Sequence, residues 1–137
     1  MIINKSNIHK YIKGTHLDCY GIGITSIEDI PDNITHLSCG SNNLTTLPSL
    51  PNGLVYLNCW DNKLTTLPKL PDGLKELYCW DNNLNQLPKL PDSLKYLSCW
   101  GNNLTSYPIH SKDKQWMINH NKFLNRINII NLINEIR

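Results

Sequence analysis

Apolar residues return at the same six positions in three successive twenty-residue units of this chain, and at the first four of these positions in a fourth unit. In the unit LVYLNCWDNKLTTLPKLPDG the six positions are Leu54, Leu57, Cys59, Leu64, Leu67 and Leu70. The matching units begin at Ile34, Leu74 and Leu94. A unit this short cannot enclose a core of its own, so each copy must bury its apolar side chains against the next copy. The pattern therefore predicts a repeat solenoid.

Alternating polarity around Leu57 predicts a short strand in each unit, with the leucine pointing inward. Stacked units then form a parallel sheet along one face of the solenoid. Asn62 follows the strand, and we expect its side-chain amide to satisfy the backbone of a bend, as do Asn42, Asn82 and Asn102. All eight prolines fall in two columns of the remaining half of the unit. Because proline excludes a regular helix there, we predict an extended, polyproline-like convex side.

The N-terminal end departs from the repeat and is predicted to cap it. We expect residues 1–13 to form this cap, with a short helix that is capped by Ser6 and ended by Gly14. Five repeats are predicted over 14–113, and the first of them carries Ile22 where the others carry asparagine. A degenerate unit of this kind is typical of the end of a solenoid.

The C-terminal end is predicted to close the other side of the core. WMINHNKF aligns loosely with LNCWDNKL, which predicts a degenerate sixth strand over 114–123 with Asn121 on the asparagine column. The isoleucines that follow change to a helical spacing, which predicts a C-terminal capping helix over 124–137. The whole chain, 1–137, is then a single domain.

The string LxxLxCxxNxL in each unit resembles the leucine-rich repeat, with cysteine in place of one leucine. The tail TTLPKLPDG is similar to the short LPX type of leucine-rich repeat, which is found in secreted effectors of Yersinia and Shigella and in related proteins of giant viruses. The resemblance implies a mainly β solenoid with a parallel concave sheet that engages a host or cellular protein. Some such effectors append a ubiquitin-ligase domain with a catalytic cysteine. Every cysteine here is a repeat cysteine, so that activity is not carried over.

Composition narrows the class of partner and the cellular location. The 137 residues carry a formal net charge of +2, and the lysines are scattered, so neither nucleic acid nor an anionic membrane is predicted as a partner. The polar N-terminal residues lack the apolar stretch of a secretion signal, and no run reaches membrane-spanning length. The five cysteines follow the repeat and are expected to be reduced thiols in the core. We predict a cytoplasmic protein, with the cytoplasm of a host as the alternative.

Residues that alternate with the inward leucines face outward on the predicted sheet, and aromatic side chains dominate among them. Tryptophan recurs at Trp60, Trp80 and Trp100, at an outward position where the fold does not require it. Large amphipathic rings are typical anchors of protein interfaces. We therefore predict a non-catalytic module that binds a partner protein through its concave aromatic surface. The predicted partner-binding residues are Tyr56, Trp60, Asp61, Glu76, Tyr78, Trp80, Asp81, Tyr96 and Trp100.

Two alternatives to partner binding stay open at this stage. In the first, the rings stack on one another along the sheet, and the protein is a purely structural repeat. In the second, the aromatic surface or an exposed terminal strand pairs with another copy of the chain. Aromatic rows can also stack nucleobases, but Asp61 and Asp81 stand where such grooves carry basic residues.

Metal and catalytic sites are weaker interpretations of the same residues. His16 and His36 are expected side by side with Asp18 nearby, where a solvated pair is favoured over a metal site. A row of core cysteines does not offer the tetrahedral ligand set of zinc. The sequence contains no phosphate-binding glycine loop, nucleophile turn or paired carboxylates in a dry cleft. No cofactor and no enzymatic activity are predicted.

Overall fold

The computed structural model describes residues 1–106, 119–122, 125–126 and 134, and the described part is a solenoid of mainly β structure. Its strands are β1 (Ile2–Ile3), β2 (Ile12–Lys13), β3 (His16–Asp18), β4 (Ser26–Ile27), β5 (His36–Ser38), β6 (Tyr56–Asn58), β7 (Glu76–Tyr78) and β8 (Tyr96–Ser98). A six-stranded sheet has the order β2-β3-β5-β6-β7-β8, and a two-stranded sheet pairs β1 with β4. The predicted repeat solenoid with a parallel sheet is confirmed.

Strands β3 and β5 to β8 pair in parallel, and the register advances by one repeat at each step. Leu57 lies opposite Leu37 on one side and opposite Leu77 on the other. Since neighbouring strands in a sheet are about 4.8 Å apart, each position of the repeat becomes a straight column across the sheet. At the N-terminal edge β2 runs antiparallel to β3 and pairs Ile12 with Leu17.

The inward columns of the repeat form one continuous core. All five cysteines lie buried in this core, and none forms a disulfide: Cys19, Cys39, Cys59, Cys79 and Cys99. Burial raises the pKa of the Cys19 and Cys99 thiols to about 12 and raises the pKa of the other three well above the ordinary value. The predicted inward position of the cysteines is confirmed.

The native protein is therefore expected to react with the thiol reagent DTNB at least about a hundredfold more slowly than the unfolded chain at pH 8. Thiolate is the reactive form, and burial opposes both the loss of the proton and the access of the reagent. The release of the chromophore measures the rate. In guanidinium chloride all five thiols should react, which provides the control. Rapid labelling of even one thiol in the native state would contradict the buried row.

The asparagine column satisfies backbone groups of the bend, as predicted, and it also links neighbouring repeats. The Asn62 amide nitrogen donates to the carbonyl oxygens of Cys39, Cys59 and Trp60 at 3.0, 3.2 and 3.3 Å. Its amide oxygen accepts from the backbone N–H of Leu44 at 2.9 Å. One side chain thus satisfies backbone groups of its own repeat and of the preceding one. The equivalent bonds are made by Asn42, Asn82 and Asn102.

The N-terminal cap differs from its prediction in detail. A 3₁₀ helix covers Ile8–Tyr11 and begins after Asn7, so Ser6 is not its capping residue. The Asn4 side-chain oxygen instead accepts from both the backbone N–H and the hydroxyl of Ser6, which ties that residue into a turn before the helix. The strand pairing between β1 and β4 was not predicted, because two-residue strands leave no alternating pattern in the sequence.

The sixth strand predicted over 114–123 is wrong for the residues that can be compared, because residues 119–122 are helical. Asn121 is fully buried, but it does not continue the asparagine column. Its side-chain oxygen accepts from the N–H of Cys99 at 2.7 Å, and its amide nitrogen donates to the carbonyl of Leu97 at 2.8 Å. A side-chain amide therefore takes the place that the backbone of a further strand would occupy beside β8.

Residues 107–118 and 123 lie outside the described part, and so does most of the helix predicted over 124–137. Residues 125, 126 and 134, which are described, are helical. The Asn125 side-chain oxygen accepts from the N–H of Gly101 at 3.2 Å, which extends the cover of the sheet edge beyond β8. None of the helices in the described residues combines the length and the apolar character needed to cross a bilayer.

The variant Asn121→Ala is expected to lower the free energy of unfolding by about 2 kcal/mol, because it leaves the N–H of Cys99 and the carbonyl of Leu97 without their side-chain partner. It should also increase self-association, since an uncovered parallel edge can pair with another chain. Urea denaturation and light scattering measure the two effects, with the exposed neighbour His120→Ala as the control. A variant as stable and as monomeric as His120→Ala would contradict the role of Asn121.

Candidate interaction surface

The outward side chains of β3 and β5 to β8 form two columns on the exposed side of the sheet. The first column contains His16, His36, Tyr56, Glu76 and Tyr96. The second column contains Asp18, Ser38, Asn58, Tyr78 and Ser98. Strand register alone brings these side chains together, because inward leucines alternate with them in every strand.

Two further columns follow the strands and border the same face. The third column contains Tyr20, Gly40, Trp60, Trp80 and Trp100. The fourth column contains Gly21, Ser41, Asp61, Asp81 and Gly101. We refer to the surface formed by the four columns as the aromatic face.

The three tryptophans stack into a ladder along the solenoid. The ring centroids of Trp60 and Trp80 are 4.3 Å apart with an interplanar angle of 6°, and those of Trp80 and Trp100 are 4.6 Å apart at 11°. Each ring is half-buried. Stacking covers the faces of Trp80 on both sides, so a partner would meet its edge rather than its face. The rings lie outside the cysteine row, as alternation predicts.

Tyr20 continues the ladder across a gap in the column, a contact that was not predicted. Its ring centroid lies 5.6 Å from that of Trp60, although Gly40 stands between the two in the column. A Cβ atom at Gly40 would lie only 3.1 Å from Nε1 of Trp60, so the indole uses the space that glycine leaves. The spacing of the repeat puts Tyr20 in this column, but nothing in the sequence shows that Trp60 leans across Gly40.

A second group of rings runs along the first two columns. His16 and His36 stack at 4.1 Å, and the ring of Tyr56 lies 5.7 Å from those of both His36 and Tyr78. Burial and the neighbouring His16 lower the pKa of His36, which favours a neutral imidazole on this face. The predicted side-by-side histidine pair is confirmed. Across the described residues, no three His, Cys, Asp or Glu side chains cluster closely enough to hold a metal ion.

Glu76, Tyr78 and Tyr96 lie together on the following repeats. The Tyr78 hydroxyl donates to a carboxylate oxygen of Glu76 at 2.9 Å. Burial and this hydrogen bond raise the pKa of Tyr78 to about 12, so its hydroxyl keeps its proton and holds the carboxylate in place. Tyr96 pairs with Glu76 in the sheet register and is 55% exposed.

The fourth column has left-handed backbone in every repeat. Positive φ angles of 52° at Asp61 and 50° at Asp81 match those of Ser41, Gly21 and Gly101. Asp and Gly tolerate this conformation better than most residues do. The Asp61 carboxylate accepts from the Ser41 hydroxyl at 2.9 Å. Burial and the adjacent Asp61 raise the pKa of Asp81. Both carboxylates are predicted at the sheet edge, but the left-handed backbone that orients them was not predicted.

Solved structures of known proteins resemble this solenoid. YopM from Yersinia enterocolitica WA-314 is 32% identical with a TM-score of 0.61, over 62% of this chain and 19% of that protein. YopM from Yersinia pestis, described as a leucine-rich effector protein, is 26% identical with a TM-score of 0.60, over 69% of this chain and 33% of that protein. The chain thus spans about a fifth to a third of these relatives. The sequence matches no protein-family model and no curated protein. In its fold, the chain is a leucine-rich repeat protein.

Proposed function

We propose that this chain is a non-catalytic module that binds a partner protein through the aromatic face. The continuous tryptophan ladder carries this proposal. Leucine and cysteine columns already fill the core, so the indoles add a large aromatic surface outside it. Half-buried rings with exposed edges are rigid and lose little entropy when a partner docks, which makes them effective interface anchors.

The cysteine row supports a non-enzymatic role. A cysteine nucleophile needs a lowered pKa and access to substrate, whereas all five thiols here are buried and their pKa values are raised. Tyr78 is likewise held in its protonated form, with its hydroxyl bonded to Glu76. The five cysteines and Tyr78, whose pKa values are all raised, are therefore not activated as nucleophiles at neutral pH.

The similarity to YopM guides the remaining parts of the proposal. We assign the repeat to the LPX type, on the TTLPKLPDG tail, and place the protein among effector-like or viral leucine-rich repeat proteins. Its partner would then be a host protein, and its place of action the cytoplasm, including that of a host cell. Neither nucleic acid nor a membrane is proposed as a partner.

Self-association is the second candidate, and the ladder itself favours it. Stacked aromatic edges on one copy can pack against those of another copy. The open edge of β8 is a poorer route, because the Asn121 side chain occupies the Cys99 N–H and the Leu97 carbonyl there. If copies associate, the aromatic face is the expected contact.

The variant Trp80→Ala tests partner binding. It is expected to weaken capture of the partner by at least about tenfold, equivalent to 1.4 kcal/mol, because it removes the central ring of the ladder. Affinity capture with mass spectrometry identifies the partner from the wild-type protein, and titration of that partner gives the dissociation constants. Trp80→Phe keeps a ring and should lose less. Gln86→Ala, at an exposed position outside the aromatic face, should lose nothing.

Stability and oligomeric state separate the alternatives. Thermal unfolding of Trp80→Ala should show a fold that is largely intact. If the variant unfolds as readily as a core leucine variant and captures nothing, the rings are structural. If light scattering shows a dimer in the wild type and a monomer in Trp80→Ala, the aromatic face serves self-association. Either result would reject the tryptophan ladder as the anchor for a separate partner.

A further inference from the structure

The aromatic face carries a charge opposite to that of the whole chain. Its four columns contain four acidic residues and no lysine or arginine. The acidic residues are Asp18, Asp61, Glu76 and Asp81. The chain as a whole has a formal charge of +2, and all thirteen of its lysine and arginine residues lie outside these columns. Lys75 and Lys95 come nearest along the chain, one residue before their strands.

Asp61 and Asp81 form the most exposed part of this negative charge beside the tryptophans. Each directly follows a ladder tryptophan, and its left-handed backbone recurs one repeat further on. Asp61 is exposed and Asp81 half-exposed. Burial raises the pKa of Asp81, repulsion from the Asp61 carboxylate raises it further, and a bound cation would relieve this repulsion. The Glu76 carboxylate accepts from the Tyr78 hydroxyl, and the Asp61 carboxylate accepts from the Ser41 hydroxyl, each at 2.9 Å.

The stacking of the indoles decides which forces act on a partner. A cation is attracted to the face of an aromatic ring, but both faces of Trp80 are covered by Trp60 and Trp100. The exposed ring edges carry the positive end of the quadrupole and do not attract a cation. Beside Trp80, attraction of positive charge must therefore come from the neighbouring carboxylates. The ring edges offer apolar area on which the methylene groups of a long side chain can pack.

We infer that the partner segment on the aromatic face is a basic peptide containing arginine, with a guanidinium group that bridges Asp61 and Asp81 while its methylene stem packs on the indole edges. This inference rests on the proposed protein-binding function and adds the chemistry of the partner. Arginine fits better than lysine, because its planar fork of five N–H donors can bond two carboxylates at once. An acidic or neutral segment would instead leave the carboxylates desolvated without a partner.

A short glycine-spaced arginine peptide is the probe for this inference. It should quench or shift the tryptophan emission of the wild-type protein in a saturable way. The same peptide with citrulline in place of arginine keeps the shape without the charge, and its dissociation constant should be at least about tenfold weaker. Binding should weaken further as salt is raised, because exposed charges are screened. Equal binding of the arginine and citrulline peptides would overturn the inference.

Two double variants locate the site on the protein. Asp61→Asn with Asp81→Asn should lose most of the binding of the arginine peptide, and asparagine also tolerates the left-handed backbone, so the fold should persist. Asp32→Asn with Asp72→Asn removes the same charge from exposed turns outside the aromatic face and should bind as the wild type does. Equal loss in both variants would show attraction to overall charge only, and would reject the bridge.

The natural partner, once captured, distinguishes the two proposals. Capture that requires Trp80 but tolerates loss of both Asp61 and Asp81 would keep the protein-binding function and reject the arginine bridge. Capture that tolerates Trp80→Ala as well would reject both proposals.

Discussion

Leu77→Ala is expected to lower the free energy of unfolding by about 2 to 5 kcal/mol, the range observed for leucine truncation in a packed core. Leu77 is 0% exposed and sits in β7, the second strand from the C-terminal end of the described sheet. It lies opposite Leu57 on one side and Leu97 on the other, so a cavity there loosens two interfaces between repeats. In a solenoid each repeat is stabilised by its neighbours alone, and no other packing compensates.

Urea denaturation followed by circular dichroism measures this loss, and the same substitution at Leu50 supplies the control. Leu50 occupies the last of the six apolar positions in its own repeat but is only partly buried. Leu50→Ala should therefore cost clearly less than Leu77→Ala, although both remove the same atoms. Equal costs at the two sites would mean that burial in the strand column does not set the stability of the sheet.

The repeated part of the fold could be predicted because the same pattern of apolar positions occurs in successive twenty-residue units. Alternation around Leu57 places that leucine inward, and the constant period then puts Leu37 and Leu77 in register with it. The same period places Trp60 beside Trp80, and the strand spacing of about 4.8 Å is close to the 4.3 Å between their rings. The ladder thus follows from local alternation and from the period together.

The ends could not be predicted in the same way, because each of their contacts occurs once. The sequence places Asn121 on the asparagine column, where the backbone of a further strand would be expected. The protein instead uses the side-chain amide of a helical residue to cover β8. An amide side chain carries the same donor and acceptor as a peptide group, so both solutions satisfy the same backbone atoms, and sequence alone does not separate them.

The sequence predicts that the candidate site residues lie on the exposed side of the sheet, but it does not predict the backbone conformation that orients them. Alternation and the period identify Trp60 and Asp61 as surface residues without showing how they are oriented. The left-handed backbone of Asp61 depends on a bend that glycine occupies in two other repeats, at Gly21 and Gly101. A column that accepts both Asp and Gly is the signal in the sequence for such a bend.

Asn82→Ala is expected to cost about 3 kcal/mol or more, which would make a polar residue as important to stability as a core leucine. Asn82 is 6% exposed, and its amide nitrogen donates to three carbonyls, those of Cys59, Cys79 and Trp80, at 3.0, 3.1 and 3.4 Å. Its oxygen accepts from the N–H of Leu64 at 3.0 Å. Alanine leaves these buried groups without their partner, and each such loss costs about 1 to 3 kcal/mol, with some of the carbonyls partly compensated by other bonds.

The adjacent Asn83 provides a matched control, because it is the same residue type one position further on and is exposed. Asn83→Ala should change the free energy of unfolding by less than about 0.5 kcal/mol. Urea denaturation of the two variants side by side measures the difference. Similar small losses in both would show that the asparagine column does not hold the repeats together.

Asn82→Asp separates the donor role of the amide from its acceptor role. The variant keeps an oxygen for the N–H of Leu64 but places a carboxylate against three carbonyl oxygens. Burial and those carbonyls should raise the pKa of the new carboxyl in the folded state above its value in the unfolded chain. Stability should therefore be highest below the unfolded pKa of about 4, where the group is protonated in both states, and should fall as the pH rises from there toward the folded pKa.

Denaturation at pH 4 and at pH 7 tests this directly: Asn82→Asp should lose markedly more stability at pH 7 than at pH 4, relative to the wild type. A loss that is independent of pH would mean that the amide nitrogen of Asn82 is not needed as a donor.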